Sequence, residues 1–364
     1  MKKLIEWHKG IKKKLEIHGV GLLTFFWDSW IEGVFSWRLS SMALILKVVF
    51  FILISTFSVL SSTNENQEYR ITVLATNISN YGGIGEWSFA ALYESNEESL
   101  LFDTGFDKNT VLHNAQLLKK DLSKVEKVVL SHFHSDHTGG LLQLRKTYKK
   151  INPKALSKVY VAKGFFEQRY LGNGEMVGPG DYADAKEFLN AAKSEGIEFI
   201  IVDDALEVAP NLFATGPVER VVEKFNGPQG IFIKDERSGK YTLDIIQDDQ
   251  SLGYKTNEGW VMMSGCGHSG VINTGKKLQE IENLPIYGMI GGFHLWQSDD
   301  ETLNFTANWL KNNGLTKFMG GHCTGIQAAI TMSEIIGIEK NNLSHTAVGS
   351  VLTKGFKILR SSVE

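Results

Sequence analysis

From Tyr69 onward, apolar residues fall in short runs closed by glycine or by a polar turn. "YRITVLAT" (69–76) alternates apolar and polar positions as a half-buried strand does. "FAALYE" (89–94) and "SLLFDTG" (99–105) follow as a pair around the turn "SNEE". In "NTVLHNAQLLKK" (109–120), Val111, Leu112, Ala115 and Leu118 recur at helical spacing, and "KVEKVVLSH" (124–132) returns to strand. Early strands, a helix and a further strand predict a layered α/β domain. No internal repeat of solenoid period is present.

The middle of the chain, about 141–240, carries fewer chemical groups. Glycine and proline in "GFFEQRYLGNGEMVGPGDY" (164–182) predict loops around short elements, so this stretch is expected to be a lid-like covering segment of the domain. After it come "GWVMMSGCGHSGVINT" (259–274), "PIYGMIGGFHLW" (285–296) and "TKFMGGHCTGIQAA" (316–329). Each is a strand-like run that ends in glycine with a histidine close behind.

Six of the ten histidines lie where an apolar run ends: His132, His134 and His137 in "SHFHSDHTGG" (131–140), then His268, His294 and His322. Histidine and aspartate are poor strand-fillers, so packing does not explain the cluster. Loops at the carboxyl ends of strands in an α/β sheet converge on one crevice, which lets distant segments meet. His132 and His134, two apart, face the same side, while Asp136 and His137 come from the next turn at a helix start. Imidazole and carboxylate suit zinc-like divalent ions, and these groups can serve two adjacent metals. A metal lowers the pKa of bound water toward neutrality, which supports hydrolysis without a serine or cysteine nucleophile. The two cysteines, Cys266 and Cys323, exclude a disulfide framework and are expected to pack as small residues under the site.

"SHFHSDHTGG" resembles the His-x-His-x-Asp-His signature of the metallo-β-lactamase superfamily, and "LFDTG" with Asp103 is similar to the superfamily's first motif. "DDQSL", "SGCGHSGVINT", "GGFHL" and "GHCTG" resemble its branch of 7,8-dihydropterin-6-yl-methyl-4-(β-D-ribofuranosyl)aminobenzene 5'-phosphate synthase-like metal-dependent hydrolases. The resemblance runs from about Tyr69 to the C-terminal region and implies an αβ/βα sandwich. It implies one metal site at His132, His134 and His268 and another at Asp136, His137 and His322. Asp136 and Asp103 are the expected catalytic carboxylates, Asp103 by orienting the site through hydrogen bonds rather than as a ligand. Many members place a bridging aspartate between the last two histidine segments; here "IYGMIGGFHL" puts His294 at the strand end, either as a ligand or as a residue facing the substrate. Asp248 and Asp249 are either a charged turn or close to the site. His8, His18, His113 and His345 are unassigned.

The resemblance does not reach the N-terminal region. Residues 1–41 form a basic, tryptophan-rich extension, and "VVFFILISTFSVL" (48–60) is an uncharged apolar run preceded by Lys47 and "MALIL". Residues 42–62 are expected to be a signal peptide, with Met42 as the true start, or a membrane anchor that leaves the catalytic domain outside the cytoplasm. A buried pair of core helices is the remaining alternative. Residues 63–68 read as a linker to the domain at 69–364.

The formal net charge of -3 gives no basic excess, so nucleic acid is a poor partner and a small-molecule substrate is expected. The chemistry predicts a metal-dependent hydrolase of an ester or phosphate-bearing molecule. A pterin–arylamine synthase and a non-catalytic metal-stabilised binding protein are the alternatives. An exported location disfavours the synthase, whose substrates are cytosolic.

Overall fold

The computed structural model describes residues 69–363 apart from 224–226 and 236. The expected extension at 1–41, the apolar segment at 42–62 and the linker at 63–68 lie outside the described residues. Among the described residues no helix is long and apolar enough to cross a membrane.

The alternating runs form β1 (Tyr69–Ala75), β2 (Ala90–Ser95) and β3 (Ser99–Phe102), followed by α1 (Thr110–Leu117) and β4 (Lys127–Val129). Next come α2 (Ser135–Thr138), α3 (Leu141–Tyr148), β5 (Lys158–Ala162), β6 (Arg169–Leu171), β7 (Met176–Val177), α4 (Ala185–Ser194) and β8 (Glu198–Val202). The chain continues through β9 (Leu206–Ala209), β10 (Leu212–Ala214), β11 (Ile231–Lys234), β12 (Tyr241–Leu243), β13 (Ser251–Lys255), β14 (Trp260–Ser264) and α5 (Val271–Ile281). It ends with β15 (Ile286–Gly291), α6 (Asp300–Asn312), β16 (Lys317–Gly320), α7 (Ile326–Ile336), β17 (Leu343–His345), β18 (Val351–Thr353) and β19 (Lys357–Leu359).

These strands build an eight-stranded sheet in the order β19-β18-β1-β2-β3-β4-β5-β8 and a seven-stranded sheet in the order β17-β16-β15-β14-β13-β10-β9. The two-residue period of a strand sorts each sheet's side chains into layers. Leu100 and Phe102 point between the sheets, where they meet Val261, Met263, Ile290 and Met319. Leu101 and Val128 point outward into a second cluster with Val111 of α1, Leu144 of α3 and Phe188 of α4. On the other sheet, Trp260 and Met262 point outward into a cluster with Leu278 of α5, Leu310 of α6 and Met332 of α7. The result is helix, sheet, sheet, helix, the mixed α/β sandwich that the resemblance implied.

The middle segment differs from expectation. β5 and β8 complete the first sheet, and β9 and β10 belong to the second, so most of 141–240 is scaffold rather than lid. "KVYVA" buries Val159, Val161 and Ala162 in the layers, while "EFIIV" is the sheet's outer strand and buries Val202. Among the described residues of this segment, β6, β7 and β11 lie apart from the two sheets and join β12 in a small sheet of order β12-β11-β6-β7.

That small sheet is fastened to the histidine loop by Arg169, which is 1% exposed. Its Nε donates to Asp244 Oδ2 at 3.0 Å and its Nη2 to Asp248 Oδ1 at 2.6 Å. The guanidinium carbon lies 3.9 Å above the Phe133 ring, and Asp248 Oδ2 accepts from Phe133 N at 2.8 Å.

Candidate metal centre

β3 and β4 are parallel neighbours in one sheet, and β14, β15 and β16 are parallel neighbours in the other. Their carboxyl ends deliver Asp103, the 131–138 loop, the 265–269 loop, His294 and His322. Two groups of donors result. His132, His134 and His268 place one ligand atom each within 4.8 Å of one another, and so do Asp136, His137, Cys266 and His322. Each group draws on both sheets.

The loops reach this geometry through tight backbone approaches. A Cβ on Gly265 would collide with Ser131 Oγ and Asp103 Oδ2, and one on Gly140 would collide with the Thr104 carbonyl oxygen. Asp103, His294 and His322 have φ of 56°, 47° and 47°. This left-handed conformation costs a residue with a Cβ about 1–2 kcal/mol. Neighbouring contacts hold it in place. His322 N donates to Thr76 Oγ1 at 3.3 Å and His294 N to Cys323 Sγ at 3.2 Å.

Hydrogen bonds then fix the rings. Asp103, fully buried, accepts from Ser131 N at 2.6 Å and from Ser131 Oγ at 2.8 Å, and its Oδ2 lies 2.7 Å from His137 Nδ1. Ser131 Oγ lies 2.9 Å from His132 Nδ1. A partner on one ring nitrogen turns the other toward the centre. His137 Nε2 is buried with no hydrogen-bond partner and lies 3.6 Å from Asp136 Oδ2, which is 3.3 Å from His322 Nε2. His132 Nε2 and His134 Nδ1 face each other at 2.8 Å.

At the first group, protonation favours metal donors, whereas at the second, against burial, carboxylate and thiol neighbours raise His137 and His322. Burial, reinforced by the neighbouring imidazoles, holds His132 well below its ordinary pKa. Burial also takes His134 down to about 3, although Asp136 pulls the other way. Both rings are therefore neutral with lone pairs available. Burial opposes ionisation of Asp136, yet His137 and His322 hold its carboxyl below the usual range. Burial lowers His137, but the carboxylates of Asp136 and Asp103 more than offset it and the net shift is upward. A cation at the second group would replace that proton. Neutral imidazoles, an ionised carboxylate and a buried unpartnered nitrogen form a donor set that fits divalent metal ions.

Cys266 was not expected among the donors. Its Sγ lies 3.3 Å from His322 Nε2 and 3.2 Å from Cys323 Sγ. Burial and then Cys323 push the Cys266 thiol well above its ordinary value. A coordinating cation overrides such a shift, because a thiol bound to metal is deprotonated outright. The sequence signal available was its position two residues before His268, at the end of β14.

His294 stands outside both groups, with its ring centroid 4.5 Å from that of His268. It is a neighbour of a donor ring rather than a member of a donor group. His294→Ala is expected to keep its metal, by elemental analysis, while turnover falls about 10 to 100-fold, as for residues that orient a ligand. Loss of metal in parallel with turnover would make it a ligand.

Asp248 and Asp249 lie on a turn that is buried beside the site: Asp249 Oδ2 accepts from Ser269 N at 2.8 Å, next to His268, as Asp248 does from Phe133 N. His113 lies away from the centre, with Nε2 2.7 Å from the Gly82 carbonyl oxygen, and His345 ends β17. His8 and His18 lie outside the described residues.

This chain belongs to the metallo-β-lactamase superfamily, whose family model matches residues 88–236. Its relatives narrow the position further. It is 30% identical over 250 residues to the 7,8-dihydropterin-6-methyl-4-(β-D-ribofuranosyl)-aminobenzene-5'-phosphate synthase of Methanocaldococcus jannaschii, an alignment spanning 66% of this chain and 81% of that protein. It is 31% identical over 285 residues to MJ0448, an uncharacterised protein of the same organism, across 78% of this chain and 99% of that one. Among solved structures it is similar to Tm1679, a metal-dependent hydrolase of the β-lactamase superfamily, with a TM-score of 0.63 at 28% identity, covering 78% of this chain and 98% of that chain. These relatives support the branch to which "SGCGHSGVINT" and "GGFHL" pointed.

Proposed function

We propose that this protein is a metal-dependent hydrolase of an ester or phosphate-bearing small molecule. The observation that carries the reading is the pair of adjacent donor groups, His132, His134 and His268 beside Asp136, His137, Cys266 and His322. Divalent cations on such donors supply Lewis acidity and bring the pKa of water toward neutrality. The chain's own residues do the rest. Asp103 and Ser131 hold His137 and His132 in register, and Asp136, ionised and 18% exposed at its side chain, is the carboxylate assigned to accept a proton from water through the oxygen not used toward a cation. A cavity of about 650 Å³ runs beside the segments bearing His268 and His294, lined in part by Gly267, Phe293, Leu295 and Phe305. That volume lies within the range of small-molecule sites.

The similarity to a named synthase favours a second reading, transfer joining a pterin to an arylamine. Metal analysis of the purified protein with a screen of phosphoesters, lactones and pterin precursors separates the two. About two zinc-like ions per chain together with ester or phosphoester turnover are expected. Product formation only from a pterin and an arylamine would give the reaction to the synthase, and a native protein without metal would overturn both.

A further inference from the structure

Two tryptophans that play no part in the donor groups stand beside them. Trp87 and Trp296 are 48% and 47% exposed. Their rings lie 5.6 Å apart at 74°, and the Trp87 ring lies 5.0 Å from that of His322. They come from different halves of the sandwich, Trp87 from the β1–β2 connection and Trp296 from the loop after β15.

Both are held by fixed backbone. The Glu86 carboxylate accepts from Phe106 N, Asp107 N, Thr110 Oγ1 and Ser88 Oγ at 2.8 to 3.0 Å, which pins the residue before Trp87. Leu295 N and Trp296 N both donate to the Cys323 carbonyl oxygen, at 3.0 and 3.2 Å, so Trp296 is tied to the segment that carries His322. Large indoles left half in water forgo the burial that normally stabilises them. Set edge to face at 74°, with Trp87 against a proposed metal ligand, the pair offers a flat ligand one face to stack on and one edge to meet.

We infer that Trp87 and Trp296 form an aromatic corner that seats a planar conjugated ring of the substrate next to the second donor group, and so set specificity for aryl or heteroaryl esters over aliphatic ones. The placement of the ester rests on the hydrolase reading above, but the ring preference is a property of binding. It is measured by calorimetric titration of the metal-loaded full chain with 1-naphthyl phosphate and with cyclohexyl phosphate.

The wild type is expected to bind the naphthyl compound at least about tenfold more tightly, since stacking on an aromatic side chain supplies that much. Trp296→Leu and Trp87→Leu should each shrink the ratio several-fold with metal content unchanged, and Trp296→Phe should restore most of it. Equal binding of the two phosphates by the wild type, binding of neither, or a ratio that survives both leucine variants would overturn the inference. Whether either phosphate is hydrolysed bears only on the hydrolase reading, so the two proposals fail separately.

Discussion

His134→Ala is expected to lose most of its metal at the first donor group and to fall in turnover by more than about 100-fold, beyond the range typical of residues that merely orient a ligand. His134 Nδ1 faces His132 Nε2 at 2.8 Å, and His268 completes the group within 4.8 Å. Truncation leaves two imidazoles where three converge, and an incomplete shell holds zinc-like ions weakly. Elemental analysis should give about one ion per chain where the wild type gives about two, with a far-ultraviolet spectrum unchanged. Wild-type metal content in the variant would remove His134 from the site.

Arg169→Ala should be the most destabilising single change outside the donor groups. The guanidinium donates to Asp244 and Asp248 and, through Nη1, to the carbonyl oxygens of Phe165 and Glu167 at 2.8 and 2.9 Å. Removing it strands two buried carboxylates, a loss of about 3–5 kcal/mol. The size of the loss should depend on pH. Burial raises the Asp248 carboxyl to about 6 even though Arg169 pulls it down. Without the guanidinium it rises further, above its unfolded value of about 3.9. The folded variant then holds a proton that the unfolded chain releases, so its stability declines as pH rises from about 4 through 7. Denaturant unfolding at pH 5 and pH 7 should show the larger deficit at pH 7. A deficit under about 1 kcal/mol at both values would mean that the pair of ion pairs contributes little, as exposed pairs do.

The parts of this molecule that could be read from sequence are those where one local pattern has one physical meaning. "SLLF" and "KVV" lie in short apolar runs that close on Asp103 and Ser131, and they are β3 and β4. Histidine placed where an apolar run ends is not explained by packing, so His132, His268 and His322 stand out.

Other features depended on partners far away in the chain. Cys266 doubles as a small apolar residue, and only the fold brings it against Asp136 and His322. Asp248 in "QDDQ" looked equally like a turn alone until Arg169, 79 positions earlier, was seen to meet it. The scaffold strands within 141–240 were obscured by the glycine-rich excursion that forms β6 and β7. Trp87 and Trp296 carry no local signal of meeting, because each is an ordinary aromatic in its own loop.

The first sheet runs β18-β1-β2, so Arg70, Ile71 and Thr72 at its start pair with Thr353, Leu352 and Val351 near its end. Phe356 joins the layer between the sheets alongside Ile71 and Val73. A ribosome would therefore release nearly the whole domain before β1 could gain its second neighbour, and contacts of such long sequence separation form slowly. Until then Ile71 and Val73 sit on an open strand edge, the kind of surface that invites pairing between nascent chains. During synthesis, β1 therefore keeps one edge open until β18 arrives to cover it.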